Sequence, residues 1–578
     1  MLDADTRTVV DTVGAERDAG WGRDAGVVAA GSSWSAATPA LALALAACGG
    51  GSGGGTTGGT TTGTSGTPVV VVAAPVTTAQ ASRMLAQATM GATSAEIAVV
   101  VGKGYDKWLT DQLAIARPST FWDWLTTNGF NVAANRDSET GWDPAIWSQL
   151  IAGPDQLRQR VGMALLDMIV VGIGGVNLNW KQFAMAAYAD VLWDNAFGNF
   201  RAIMDGITFN AAMGSFLTFL GNKKANATTG AQPDENYARE LMQLFTLGLY
   251  QLNMDGTVKT SGGVPLETYT PADVSGLARV FTGLNLATSD GTTPDRYQQK
   301  LVMTASQHET GTATFLGTTT SGEGVAAIKV ALDAIFAHSN VPPFVSKQLI
   351  QRLVTSNPSA AYVGRVAAVF ANNGAGVRGD MQAVIRAILT DTEARGDTAL
   401  TAAGAGKLRE PIMRLTGWAR AFGVKSPSNA WAIGDTSSTT NRLSQSPGRS
   451  PSVFNFFRPG YAPPSTSISA AGMVAPEFQI TNEQTVVAYV NYMYALVVNG
   501  TGDVKADYTA ILAKASDSQA LVDEVNATLA AGQLSAATIA SIKAAVDSIA
   551  ATTATGPQNR VNAAIVLTLA SPDYLTVK

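Results

Sequence analysis

The chain has almost no thiol and almost no imidazole: one cysteine, Cys48, and two histidines, His308 and His338, in 578 residues. A lone cysteine excludes an intrachain disulfide and any cysteine-rich metal site. Neither histidine has a partner at the spacing of an HExxH helix, which excludes that class of zinc protease. Charged residues are only 14% of the chain, the net charge is −5, and Lys and Arg form no cluster. Phosphate backbones are held by concentrated positive charge, so nucleic acid is not an expected partner. No stretch reaches the ~20 consecutive apolar residues that span a bilayer. Gly-x-Ser-x-Gly elbows, Walker loops, dinucleotide fingerprints and EF-hand loops are also missing.

What is present starts with the setting of the cysteine. Cys48 closes the run Leu41-Ala42-Leu43-Ala44-Leu45-Ala46-Ala47, and a Gly/Ser/Thr-rich tract follows to Thr67. An apolar run ending in two small residues and a cysteine is a lipoprotein signal peptidase pattern, and cleavage before Cys48 frees it to carry a covalent lipid. The tract after it can bury too little apolar surface to fold and reads as a tether. Residues 1–47 are thus read as a leader, 48–77 as lipid anchor and tether, and 78–578 as a helical body with a C-terminal helical subregion over 476–578. The nearest basic residues before the run, Arg17 and Arg23, lie well upstream of where a secretory signal carries its positive charge.

Val69–Pro75 could be a short strand or an extended lead-in. From Thr78 onward the periodicity is helical. Ala81, Leu85 and Ala88 share a face, Gly91 stops the helix, and Thr93-Ser94-Ala95-Glu96 restarts one. Helices are predicted over 154–172, 181–196, 199–220, 234–248, 271–283, 323–337, 343–355, 360–372, 378–391, 516–551 and 557–570. The tracts 251–270 and 285–325 are loops with room for small hairpins. The Ser/Pro/Asn-rich stretch 425–475 keeps Phe454, Phe456, Phe457 and Tyr461, which predicts wrapping against the body. The fold class is therefore mainly α: a large multi-helical body with a few short strands or hairpins in long loops. The aromatics Trp108, Trp122, Trp124, Trp142 and Trp147 read as packing residues in preference to a sugar-stacking platform.

The most distinctive helix opens Asp234-Glu235-Asn236-Tyr237-Ala238-Arg239-Glu240-Leu241. Asp234 is the expected N-cap, and Glu235 and Arg239 can pair across one turn. At 100° per residue, Glu235, Asn236, Arg239, Glu240, Gln243 and Thr246 share the polar side. That side is either a solvated or ion-paired face, or a cleft wall with Glu235 or Glu240 as acid, base or metal ligand and Arg239 holding an anion. His338 falls between two predicted helices, where it can cap carbonyls. His308, His338 and a carboxylate are a weak candidate metal set; no metal is predicted.

Several ordered blocks together resemble a large bacterial family, the domain of unknown function 1800 family. They include Asp234 to Gly248, Leu157-Arg-Gln-Arg160, Ala196-Phe-Gly-Asn199, His308-Glu-Thr-Gly311 with Phe315-Leu-Gly317, and His338 with Pro343-Phe344. Others are Arg409-Glu-Pro411, Ser446-Pro447, Ser450-Pro-Ser-Val-Phe-Asn-Phe-Phe457 and Ser571-Pro-Asp-Tyr574. The chain departs from the pattern at Leu284, where members often carry Trp, and at Thr312-Ala313-Thr314, which lacks a lysine. The resemblance implies an exported, mainly helical protein with no established reaction, often encoded beside a second exported family. It also implies that Arg158, Arg160, Glu235, Arg239, Glu240, His308 and His338 share one site or one network.

The expectation is an exported envelope lipoprotein, membrane-attached through lipid at Cys48, whose helical body is a scaffold or works with an exported partner protein. The alternative is an exported hydrolase of an extracellular polymer, using Glu235, Glu240, Arg239 and His308, with or without a metal. The site candidates are Glu235, Arg239, Glu240, His308 and His338.

Overall fold

A computed structural model describes residues 75–578; Cys48, the leader, most of the tether and the Val69–Ala74 segment lie outside the described residues. Capping determines where its first helices begin. Thr77 and Gln80 form a capping box ahead of Thr78–Ala88, and Thr93 and Glu96 do the same for Ser94–Lys103. Each box satisfies backbone donors that a helix start otherwise leaves unpaired. The fold is mainly α, with short two-stranded antiparallel ribbons. Two of them, Thr260–Ser261 with Val264–Pro265 and Ala313–Phe315 with Thr318–Thr320, fall in the tracts expected to carry hairpins. None of the described helices is long and apolar enough to cross a membrane.

Two of the predicted helices are each broken into two separate helices. Residues 199–220 divide into Phe200–Thr208 and Ala211–Phe216, because Asn210 leaves the helical region and its side chain accepts from the backbone N–H of Ala212 and Met213. Residues 516–551 divide into Ser518–Leu529 and Ala536–Asp547, the second capped by Ser535.

Large aromatics fill the centre. Trp142, Trp147, Trp180, Trp193 and Trp418 are fully buried, and Trp108 and Trp122 nearly so. Trp124 is half-buried and stacks on Phe130 with centroids 5.7 Å apart. Among the described residues no flat exposed tryptophan platform results. The stretch 425–475 wraps against the body, although of Phe454, Phe456, Phe457 and Tyr461 only Phe457 is buried and Phe454 is exposed: Trp142 donates to Pro447 O at 3.1 Å, Trp147 to Gly434 O at 2.9 Å, and Arg449 pairs with Asp143 at 2.7 Å. Buried indole N–H groups thereby find acceptors.

The helix Pro271–Val280 lies hard against the Ala313–Phe315 strand. A Cβ at Gly276 would stand 1.9 Å from the Thr314 carbonyl oxygen. Alanine gains ~1 kcal/mol of helix propensity, but the contact cannot be kept without moving backbone. Gly276→Ala is expected to destabilise the protein by about 2–3 kcal/mol in urea unfolding. A more stable variant would show that the approach is not this close.

Candidate functional site

Five residues, Asn236–Glu240, form a short α-helix that runs into a π-helical turn, Leu241–Thr246. The sequence predicted a continuous α-helix capped by Asp234; Asp234 instead accepts from the Asn236 N–H at 2.8 Å, and Glu235 occupies the cap position. The wider winding changes which side chains turn inward. Thr246, assigned to the polar side by a 100° step, is fully buried, with its hydroxyl on Leu241 O five residues back. Glu240 is buried too, at 7% exposure, with no protein hydrogen bond to Oε2. Extra-residue turns of this kind recur at functional sites.

Around this turn the sequence candidates separate. Glu235 and Arg239 pair at 3.0 Å and stay half-exposed, and the Ser275 hydroxyl donates to the second oxygen of Glu235. One turn further along the same helix, Arg279 lies 3.6 Å from Glu309. Ser275 and Arg279 thus link the Asp234–Gly248 block to the His308–Gly311 block by a half-exposed polar strip, and the sequence marked neither residue. Glu240 faces inward, toward Tyr269, whose hydroxyl donates to Gln243 at 3.3 Å. Burial pushes the Glu240 carboxyl up to about 7 against the pull of Arg239, and burial together with the Glu240 charge pushes Tyr269 to about 12. The arrangement is a carboxyl poised near neutrality beside a partly exposed guanidinium, able to hold or pass a proton.

Both histidines are committed elsewhere. Gly324 N–H donates to His308 Nε2 at 3.1 Å, so the ring proton sits on Nδ1 and is donated to Thr282 O at 2.8 Å. His308 therefore ties the start of Val325–Ala337 to the end of Pro271–Val280. His338 does follow that helix, as expected, and as its C-cap residue donates its backbone N–H to Ile335 O at 3.0 Å; the side-chain cap comes from Arg378, which donates to Phe336 O and His338 O at 2.9 Å each. His338 Nδ1 accepts from the Asn340 N–H at 3.1 Å, and burial, Lys259 and Arg378 hold its pKa down. Among the described residues, no group of three or more His, Cys, Asp or Glu could hold a metal ion.

A second polar centre is deep inside, and four of the sequence blocks, those holding Arg160, Arg409–Glu410, Asn455–Phe457 and Tyr574, meet at or beside it. Lys407 Nζ lies 3.1 Å from Glu410, 3.0 Å from Glu477 and 2.9 Å from Arg352 O. Arg160 also donates to Arg352 O, and Arg352 to Asp167 O at 3.2 Å. Asn455 donates to Asp167 at 2.9 Å, Gln445 to Glu410 at 3.0 Å, and Arg352 covers the Phe457 ring at 4.8 Å. Next door, Arg409 lies over Tyr574 at 4.4 Å. Blocks scattered from residue 157 to residue 574 therefore meet through their polar residues. Burial tends to neutralise Glu410, but Lys407, Arg160 and Arg352 outweigh it and keep its pKa low; burial and the Glu410 charge raise Asp167. All six ionisable residues are buried, which suits a clasp better than a substrate site. Arg158 belongs to neither centre: it donates to Trp193 O at 3.0 Å and packs over Phe197. The residues that the resemblance implied to be one network are thus divided among several.

A cavity of about 150 Å³ lies apart from both centres' residues, lined by Leu85, Val99, Trp108, Lys103, Asp111 and Gln156 among others. Its Lys103 and Asp111 pair at 2.8 Å, and Gln156 is bonded to backbone.

A family model described as a protein of unknown function (DUF1800) matches residues 83–576. No curated protein matches the chain, and no solved structure does.

Proposed function

We propose that this chain, which belongs to the DUF1800 family of proteins of unknown function, is an exported lipoprotein of the cell envelope. Its helical body is held at a membrane by lipid on Cys48 and serves as a scaffold for an exported partner protein. The observation that carries the reading is an order of segments: the apolar run ending at Cys48, the Gly/Ser/Thr tract, then a body whose first helix among the described residues starts at Thr78. One acyl chain holds a protein weakly, whereas several give stable attachment. In cells fed a labelled fatty acid, the wild type is expected in the membrane fraction with label. Cys48→Ala is expected to be unlabelled and unprocessed. Unchanged processing, labelling and fractionation in Cys48→Ala would end the proposal.

Glu240 favours a second reading, an exported hydrolase of an extracellular polymer. In it Glu240 is the proton-transfer group and Arg239 binds an anionic group; His308 drops out, because its ring nitrogens are already bonded to Thr282 and Gly324. Loss of polymer cleavage in Glu240→Gln with folding intact would favour it over the scaffold.

A further inference from the structure

The helix Glu483–Asn499 carries no charged residue after Glu483. Its inner face, including Ala488, Met493, Leu496 and Val497, is buried. Its outer face is also apolar beyond the first turn, where exposed Glu483 shares that face. Val487 is 60% exposed, Tyr494 55% and Val498 38%, with half-buried Val490 beside them. At 100° per residue these four lie within one third of the helix circumference, with Asn491 among them. Val486, 44% exposed, adjoins the stripe. A helix apolar on both sides, with one side in water, is an unpartnered surface.

Two considerations choose its occupant. From Val487 to Val498 the stripe spans about 17 Å of helix and is roughly 10 Å wide, or about 170 Å². A stable dimer buries about 800 Å² on each partner, so the stripe is too small to hold a second copy from free solution. A body already tethered at a bilayer needs far less, because the tether supplies an effective concentration in the millimolar range. The tether also joins the helix stack to which this helix belongs. Thr78–Ala88 packs on Ser518–Leu529, that helix on Gly556–Ala570, and that one on Glu483–Asn499. Ala79, next to the tether junction, touches the loop at Gly532. Three helix spacings are about 30 Å, and a Gly/Ser-type segment the length of 49–77 also reaches about 30 Å.

We infer that the outer face of Glu483–Asn499 rests on the lipid surface to which Cys48 is anchored, so that the body sits in a fixed orientation and does not swing freely. The inference rests on the lipoprotein reading. Val and Tyr suit the headgroup boundary, and the missing basic residues mean that contact does not depend on anionic lipid.

The test uses full-length lipidated protein on phosphatidylcholine vesicles. Cys48 is the only native cysteine and is occupied by lipid, so Val487→Cys, Val498→Cys or Thr228→Cys each provides one site for an environment-sensitive dye. The expected result is flotation of all three, with quenching by a headgroup-proximal nitroxide lipid removing about half the emission at 487 and 498 and little at 228. Adding Val487→Asp and Tyr494→Asp to Val498→Cys should bring quenching down to the Thr228→Cys level while flotation persists. Flotation without quenching at 487 and 498 would overturn the inference and leave the anchor standing. Failure to float would remove both. A dimer in sedimentation velocity without vesicles, abolished by Val487→Asp with Tyr494→Asp, would overturn it in favour of a second copy.

Discussion

Replacing Lys407 by methionine should lower the free energy of unfolding by about 3–5 kcal/mol, the range for removing one partner of a buried ion pair. Lys407 has three N–H donors and uses each: on Glu410 at 3.1 Å, on Glu477 at 3.0 Å and on Arg352 O at 2.9 Å. Methionine keeps the volume and chain length but leaves two carboxylates in the interior with less compensation. Arg160 and Arg352 lie in the same centre, yet their guanidiniums already serve backbone carbonyls, and one nitrogen of each has no protein partner. They also lower the Glu410 pKa, so they compensate its charge in part without replacing the Lys407 ion pairs to Glu410 and Glu477. Replacing all three charges, Lys407→Met with Glu410→Gln and Glu477→Gln, should recover much of the loss, since the penalty comes from uncompensated charge. Urea unfolding of the wild type, single and triple variants side by side measures this. A single variant within 1 kcal/mol of wild type would show that the centre is not the clasp described. The effect should also be global, because Lys407 joins several distant pieces of chain. It pairs in register with Val577 near the C-terminus, and Glu477 belongs to the short Pro476–Ile480 turn before the C-terminal helices.

This centre also shows where sequence reading runs out. Helices such as Val325–Ala337 and Ala360–Ala371 were legible to within a residue or two, because 3.6-residue periodicity and caps are local properties. The Glu235–Arg239 pair was legible for the same reason. Lys407, Glu477, Asp167 and Arg352 were not. Each is a charged residue in an ordinary local setting, and only tertiary packing decides that it is buried. Arg160 and Glu410 were marked as members of resemblance blocks, but without the geometry that joins them. The π turn escaped because one added residue per turn leaves no compositional signature, and it reversed the facing of Thr246. The histidines drew attention by rarity. Their roles came from backbone groups, which no side-chain pattern reveals.

Glu240 should make the protein less stable as the pH rises toward neutrality, by about 3 kcal/mol between pH 4.5 and pH 8. The sign follows from its two protonation states. Unfolded, the carboxyl titrates near 4.5; folded, burial moves it to about 7. Between those values the native state binds a proton that the unfolded state has released, so stability falls with pH at ~1.4 kcal/mol per unit. The contribution is complete below 4.5 and gone above 7. Glu240→Gln keeps the shape of the protonated carboxyl and cannot ionise, so its stability should not show this decline. The difference between wild type and variant, taken from urea midpoints at pH 4.5, 6 and 8, isolates Glu240 from every other titrating group the two share. Asp167, also raised by burial, cancels in that subtraction. Arg239 lowers the Glu240 pKa, so Arg239→Gln should extend the decline to higher pH at the same slope and so enlarge it. A wild-type-minus-variant difference that stays flat from pH 4.5 to 8 would mean the Glu240 carboxyl reaches solvent, and the π turn would then lose its claim to hold a poised proton.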